Sequence, residues 1–205
     1  MKKITNTVLI CAALIILAAS CRRSSSRPAP QKPLLPIVNA IKMNLGGTDV
    51  TTWDPNTHSY SFTPLVNGTI DQLGYRLDNP VDPSYPAQEV FILSLWDANP
   101  SSQPLATTGQ KTIQKGANVV YFPITPVVAV VMGQTYYVSR EFIPTLAAPD
   151  NLGGLCVSAV SIFPQSLLGV VTINHSYFTN NPDPRLATPS SQYDYYLPYI
   201  DFQIQ

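Results

Sequence analysis

The chain has 205 residues, with twelve basic and twelve acidic side chains, only 12% charged residues in all, and an abundance of proline (20) and tyrosine (11). That balance excludes a helical, charge-rich cytosolic class and gives the profile of an extracellular all-β domain, long enough to bury a sizeable core. The zero net charge is uneven: residues 22–33 carry Arg22, Arg23, Arg27 and Lys32 and no acid, whereas from residue 34 onward six basic residues meet all twelve acids, a net of minus six. An acidic body argues against nucleic acid as a partner, because that affinity comes mainly from cationic contacts to phosphate.

In chain order, Lys2 and Lys3 precede ten apolar residues, Val8 to Leu17, and then Leu17-Ala18-Ala19-Ser20-Cys21. A basic start, a short apolar stretch and small residues before a cleavage point predict a secretory signal over residues 1–20, too short for a membrane-spanning helix. Cys21 directly after that point resembles the lipobox of bacterial lipoproteins. The resemblance implies cleavage before Cys21 and acylation of its thiol and new amino group, a stable anchor to the membrane. Ala18 stands where that motif prefers Leu, so ordinary cleavage after Ala18-Ala19-Ser20 is the alternative. Arg22, rather than Asp, fits outer-membrane sorting by the same resemblance. Residues 21–35 lack any apolar period and are Ser-, Pro- and base-rich, the pattern of an extended tether between the membrane and a body over residues 36–205.

The body alternates short apolar runs with Pro, Gly, Asn and Asp. Strands are predicted near 37–43, 59–63, 69–77, 89–96, 118–124, 126–131, 135–143, 155–163, 170–178 and 195–204, and their spacing predicts one antiparallel β-sandwich of jelly-roll type. Alternation predicts Val120, Phe122 and Ile124 on one side, and Tyr136, Val138 and Phe142 together against Ser139 and Glu141. Strand 89–96 is apolar on both sides, as a central strand should be. Trp96, Tyr136 and the aliphatics of 119–131 are expected in the core. In 195–204 the same rule points Tyr196, Ile200, Phe202 and Ile204 inward and Tyr195, Tyr199, Asp201 and Gln203 outward, with Pro198 demanding an edge or a bulge.

Four stretches taken in order, Asn67-Gly-Thr-Ile-Asp-Gln-Leu-Gly-Tyr-Arg76, Leu93-Ser-Leu-Trp-Asp-Ala-Asn99 with Leu105-Ala-Thr107, Val120-Tyr-Phe-Pro-Ile-Thr-Pro-Val127 leading to Gly133-Gln-Thr-Tyr-Tyr-Val138, and Pro198-Tyr-Ile-Asp-Phe202, resemble a bacterial extracellular β-sandwich family found beside glycoside hydrolases and in surface proteins. The resemblance covers about residues 60–205. It implies a fold and a setting, and no activity. Residues 179–194 depart from it, being Pro-, Asn- and Ser-rich where the family carries a Gly-rich aromatic segment.

Little in the sequence carries catalysis. His58 and His175 are the only histidines, no nucleophile elbow is present, and zinc-ligand spacing is absent. Cys156, the one cysteine left after processing, reads as a buried inert thiol. Asp78-Asn79-Pro-Val-Asp82, Asp97-Ala-Asn99, Asp150-Asn151 and Asn180-Asn181-Pro-Asp183 place hard oxygens on loops where calcium is possible, although turn chemistry accounts for each as well. Aromatic platforms are the most functional-looking feature: flat rings suit the apolar faces of sugars, and amides or carboxylates at their edges suit the hydroxyls. Trp53, Tyr195 and Tyr199, with Asp201 and Gln203, form the expected ligand site. The expectation is a lipid-anchored, non-catalytic module of the bacterial cell envelope, on the outer membrane or cell surface, binding carbohydrate. An accessory subunit of an envelope protein assembly is the alternative, and a small hydrolase the third.

Overall fold

Residues 37–45 open the described part of the molecule with a helix, α1 (Ile37–Leu45), not the strand that Ile37, Val38 and Ile41 predict. The computed structural model describes residues 37–52, 56–77, 87–100, 103–116, 118–144, 152–156, 163–187, 194 and 196–205. The run IVNAIKMNL supports either period: helical spacing gathers Ile37, Val38, Ala40 and Ile41 on one buried face. Two contacts, one tertiary and one local, decide for the helix. The Asp201 carboxylate accepts the amide of Ile37 at 3.3 Å, satisfying a donor that the first turn leaves open. At the other end Gly46 takes φ +74° and donates to the Lys42 carbonyl, stopping the helix.

Twelve strands follow among the described residues: β1 (Thr48–Thr52), β2 (Thr57–Pro64), β3 (Gly68–Tyr75), β4 (Gln88–Asp97), β5 (Ala106–Gln114), β6 (Val120–Val130), β7 (Tyr136–Phe142), β8 (Leu152–Cys156), β9 (Gln165–Leu167), β10 (Val171–Thr179), β11 (Tyr196–Pro198) and β12 (Ile200–Phe202). Nine form one curled antiparallel sheet in the order β12-β3-β6-β5-β4-β7-β2-β10-β9, and β1-β8-β11 form a second, smaller one. Because the large sheet curls, its two halves face each other. Phe62 of β2 packs on Phe202 of β12 with ring centroids 4.2 Å apart, and Tyr75 of β3 packs on Phe91 of β4 at 4.9 Å. Helix α1 contacts β12 and β9, the two outermost strands of that sheet, and so covers edges that would otherwise offer unpaired backbone. The class is all-β and sandwich-like; the jelly-roll connectivity is not confirmed by this strand order, in which nine strands share one ladder.

Several strands differ from their sequence-based bounds for physical reasons. β5 (ATTGQKTIQ) is absent from the prediction because only Ala106, Thr108 and Ile113 of it are buried, so it has no apolar alternation. The runs 118–124 and 126–131 are one strand, β6, which passes Pro123 and Pro126 without breaking. The aliphatics of 119–131 are not all core: Ile124, Val128 and Val130 are buried, but Val120, Val127 and, just past the strand, Val131 are exposed. The predicted strand 195–204 is two strands in different sheets. β11, containing Pro198, is the edge of the small sheet, and the chain crosses at Tyr199 to pair as β12 with β3.

Candidate functional site

The change of sheet at Tyr199 removes two residues of the expected ligand site, Tyr199 and Asp201, from the surface. Strict alternation assumes one continuous strand with one open face, yet residues 196–202 are all buried. Tyr199 is 1% exposed, its ring lying under the Arg76 guanidinium at 4.0 Å. Asp201 is equally buried beneath the start of α1, where it accepts the Tyr121 hydroxyl at 3.0 Å and the Phe202 amide at 2.7 Å. Neither can serve as a platform, which corrects the outward assignment of both. Gln203 is half-buried. Trp53, Tyr195 and the lipidation candidate Cys21 lie outside the described residues.

The structure assembles a different aromatic and polar surface on the outer face of β2, β7 and β10. The decisive local feature is a bulge in β10: Ile173 pairs with Phe62 and His175 with Ser61, leaving Asn174 unmatched. A bulge shifts the phase of alternation by one. Val171 and Ile173 therefore point into the core, whereas after the bulge Ser176 and Phe178 do so, and His175 and Tyr177 turn outward. Tyr137 of β7, paired across the ladder with Ser61, joins them. Its ring lies 6.0 Å from that of Tyr177, which in turn meets His175 edge-on at 6.3 Å.

These side chains line an open depression of about 350 Å³ with Ser61, Thr63, Thr135, Asn174 and Pro164. Its polar groups are held by one another. The His175 Nδ1 lies 3.0 Å from Asp194 Oδ2, and Asp194 also accepts the Ser176 amide at 3.2 Å. Ser61 Oγ lies 3.4 Å from the Tyr177 hydroxyl, and Asn174 donates to Thr63 Oγ1 at 3.0 Å. Burial pushes the phenols of Tyr137 and Tyr177 above their ordinary range, so both keep their proton and can donate it in a hydrogen bond. The set has flat rings, hydroxyls, an amide and a carboxylate-oriented imidazole, which is chemistry for holding a neutral polyhydroxylated molecule.

Beside the depression the short 3-10 turn Pro184–Leu186 packs over β2, β7 and β10. Its Arg185 is the keystone. The guanidinium donates to both carboxylate oxygens of Asp183 at 2.8 Å, reaches Asp97 Oδ1 at 3.2 Å and the Asn99 carbonyl, and lies 4.7 Å above the Trp96 ring. Burial alone would raise the Asp183 carboxyl; the hydrogen bonds and charge of Arg185 hold it below the usual range. The oxygens of Asp97, Asn99 and Asp183, candidates for calcium in the sequence, are thus directed at an arginine; Asp78–Asp82 and Asp150–Asn151 lie outside the described residues. Trp96 is buried, as expected, but on this outer face, its indole donating to Ser139 Oγ at 2.9 Å.

A second polar cluster is sealed inside. Glu89 of β4 and Arg140 of β7 pair on the inner face, both 1% exposed, with Arg140 Nε 2.7 Å from Glu89 Oε1 and the Tyr75 hydroxyl donating to Oε2 at 3.2 Å. Nothing in solution can reach it, so it belongs to the architecture. Among the described residues no group of three or more His, Cys, Asp or Glu side chains could hold a metal. Cys156 is a half-buried free thiol. Comparison with models of known protein families found no match, and none was found among curated protein sequences.

Proposed function

We propose that the chain is a non-catalytic binding module of the bacterial cell envelope, anchored through a lipidated Cys21, that takes carbohydrate on the outer face of β2, β7 and β10. The observation that carries this reading is the depression between Tyr137 and Tyr177, bordered by Ser61, Thr63, Asn174 and the His175–Asp194 pair. Two adjacent tyrosines give contact area at little rotamer cost, and the hydroxyl, amide and imidazole groups match the alternating donors and acceptors of a sugar. This surface does not include Tyr199 or Asp201, which are buried, but it offers the same kinds of side chain. Lipid attachment rests on the residues up to Cys21 alone.

Binding of the full chain in detergent to a panel of polysaccharides and cell-wall glycans tests the first part. Saturable binding that Tyr177→Ala abolishes, with the fold intact by circular dichroism, supports it. A uniformly negative panel overturns it and favours a subunit role in an envelope assembly. Mass spectrometry of the mature amino terminus tests the anchor: an acylated Cys21 is expected, and an unmodified cysteine there excludes it.

A further inference from the structure

The strand β11 belongs to the small sheet but rests on the large one. It is three residues long, pairs only with β8 among the described strands, and touches β2 and β10 through side chains. The ring of Tyr196 carries that contact. It meets Phe178 of β10 edge-on at 4.8 Å and His58 of β2 edge-on at 5.9 Å, and it also lies over Gly154 of β8. The imidazole of His58 is 4.2 Å from the Phe178 ring, so two aromatic side chains, one from each sheet, close over it.

The polar atoms of His58 are met by nothing inside. The residue is fully buried, neither ring nitrogen has a hydrogen-bond partner, and the buried hydroxyl of Ser176, inward-facing on β10, has none either. Leaving both a donor and an acceptor unpaired costs the native state their desolvation. The surrounding groups make an imidazolium costlier still. Arg140 stands directly across the ladder on β7, and the Glu89 carboxylate beside it on β4 is taken up by Arg140 and the Tyr75 hydroxyl. From β10 come Phe178 and Ser176, and from β11 the phenol of Tyr196, so neither strand brings a counter-charge. Burial, and then the charge of Arg140, hold the imidazole neutral.

We propose that β11 is a latch opened by acid, lifting from β2 and β10 so that His58 reaches water and takes up a proton. Of the strands that touch His58, β11 is the one that moves without breaking the ladder of β2: β7 and β10 are paired to β2 along most of its length, whereas β11 meets it through side chains alone. A short edge strand also opens at less cost than a central ladder. With β11 closed the imidazole binds no proton near neutrality; with β11 open it has the ordinary histidine affinity, half-saturated near about pH 6.5. Each pH unit below that value therefore favours the open form by up to about tenfold. The device is separate from the depression on the outer face and does not depend on what binds there.

The test is amide hydrogen exchange of the full chain in detergent at a series of pH values from neutral down to mildly acidic, with rates corrected for the intrinsic pH dependence of exchange. Amides at 154–156 and 196–198 report the β8–β11 ladder, and those at 91–95 report the central strand β4. At every pH the first group should open more often than the second, and its opening should rise about tenfold per pH unit below about 6.5. His58→Leu and His58→Asn, neither of which titrates, should each remove that slope. Equal opening of the two groups overturns the proposal, because β11 then leaves only when the whole body unfolds. A flat profile in the parent chain overturns it as well, since His58 then stays shut when β11 lifts. So does a slope that both variants keep, which assigns the proton to another group.

Discussion

The carboxylate of Asp201 accepts the backbone amide of Ile37 across 164 positions of sequence, joining β12 to the first turn of α1. Burial pushes this carboxyl up to about 7, against the hydrogen bonds from Tyr121, Phe202 and Ile37 that favour its charged form. In the unfolded chain it titrates near the ordinary aspartate value of about 4. Between those values the native state holds a proton that the unfolded state has released. The stability this group contributes is therefore complete below about pH 4 and is lost as pH rises through 7, by up to about 1.4 kcal/mol per pH unit. Asp201→Asn should remove that component from a profile of Tm against pH between 4 and 8. An unchanged profile would mean the carboxyl does not titrate in this window.

His58 works in the opposite direction. Its imidazole is fully buried against Phe178, ring centroids 4.2 Å apart, with no hydrogen-bond partner at either nitrogen. Burial first, and the charge of Arg140 second, hold its pKa well below the ordinary value. It stays neutral in the native state and protonates on unfolding below about pH 6.5, so stability is lost as pH falls. His58→Leu should flatten the acid side of the profile and be at least as stable as the parent at pH 5. The Asp201→Asn variant should show the acid-side loss more steeply, because the compensating slope has gone.

Breaking the Glu89–Arg140 pair from one side leaves a charge stranded in the core. Glu89→Leu or Arg140→Met alone should each destabilise by about 3–5 kcal/mol, while the two combined should recover much of the loss. Denaturant unfolding of the set as a double-mutant cycle measures the coupling. Additive losses would show that the two side chains do not depend on one another.

At the depression, Tyr137→Ala and Tyr177→Ala should each weaken glycan binding by about tenfold or more, about 1.4 kcal/mol, with little change in Tm. Arg185→Lys should act indirectly. A lysine cannot fork across Asp183 while covering Trp96, so a modest loss of both stability and affinity is expected. Calorimetric titration with the best glycan of the panel separates the two effects.

Gly154 in β8 has the Tyr196 ring lying directly over its backbone, in the space a Cβ would take. Gly154→Ala should cost about 1–3 kcal/mol through overpacking, and the loss should shrink when Tyr196→Ala is added. Tm values for the two single variants and the double variant decide it.

What could be read in the sequence was whatever alternation writes locally. The strands around 59–63, 69–77, 89–96, 135–143 and 170–178 stand where the predictions put them, and Pro198 does lie on an edge strand. What could not be read depends on partners far away. α1 has an acceptor for its first amide only because Asp201 is folded beneath it. β5 is polar and exists because β4 pairs with it from Gln88 to Leu95. Tyr199 is buried because the chain changes sheets there, and His175 and Tyr177 face outward because one unmatched residue, Asn174, reverses the phase. An aromatic and polar surface was legible as a class of side chain, but the place of the one on β2, β7 and β10 was set by a bulge.

The pairing of β12 with β3, and of Asp201 with Ile37, also sets the order in which the molecule can be completed. Residues 37–45 leave the ribosome long before 200–202 do. Until then α1 lacks the acceptor at its N-terminus, β3 lacks its outer neighbour, and the small sheet lacks β11. Contacts that span so much sequence also form slowly. Both sheets and the seat of α1 are therefore complete only once residues 196–205 have been made.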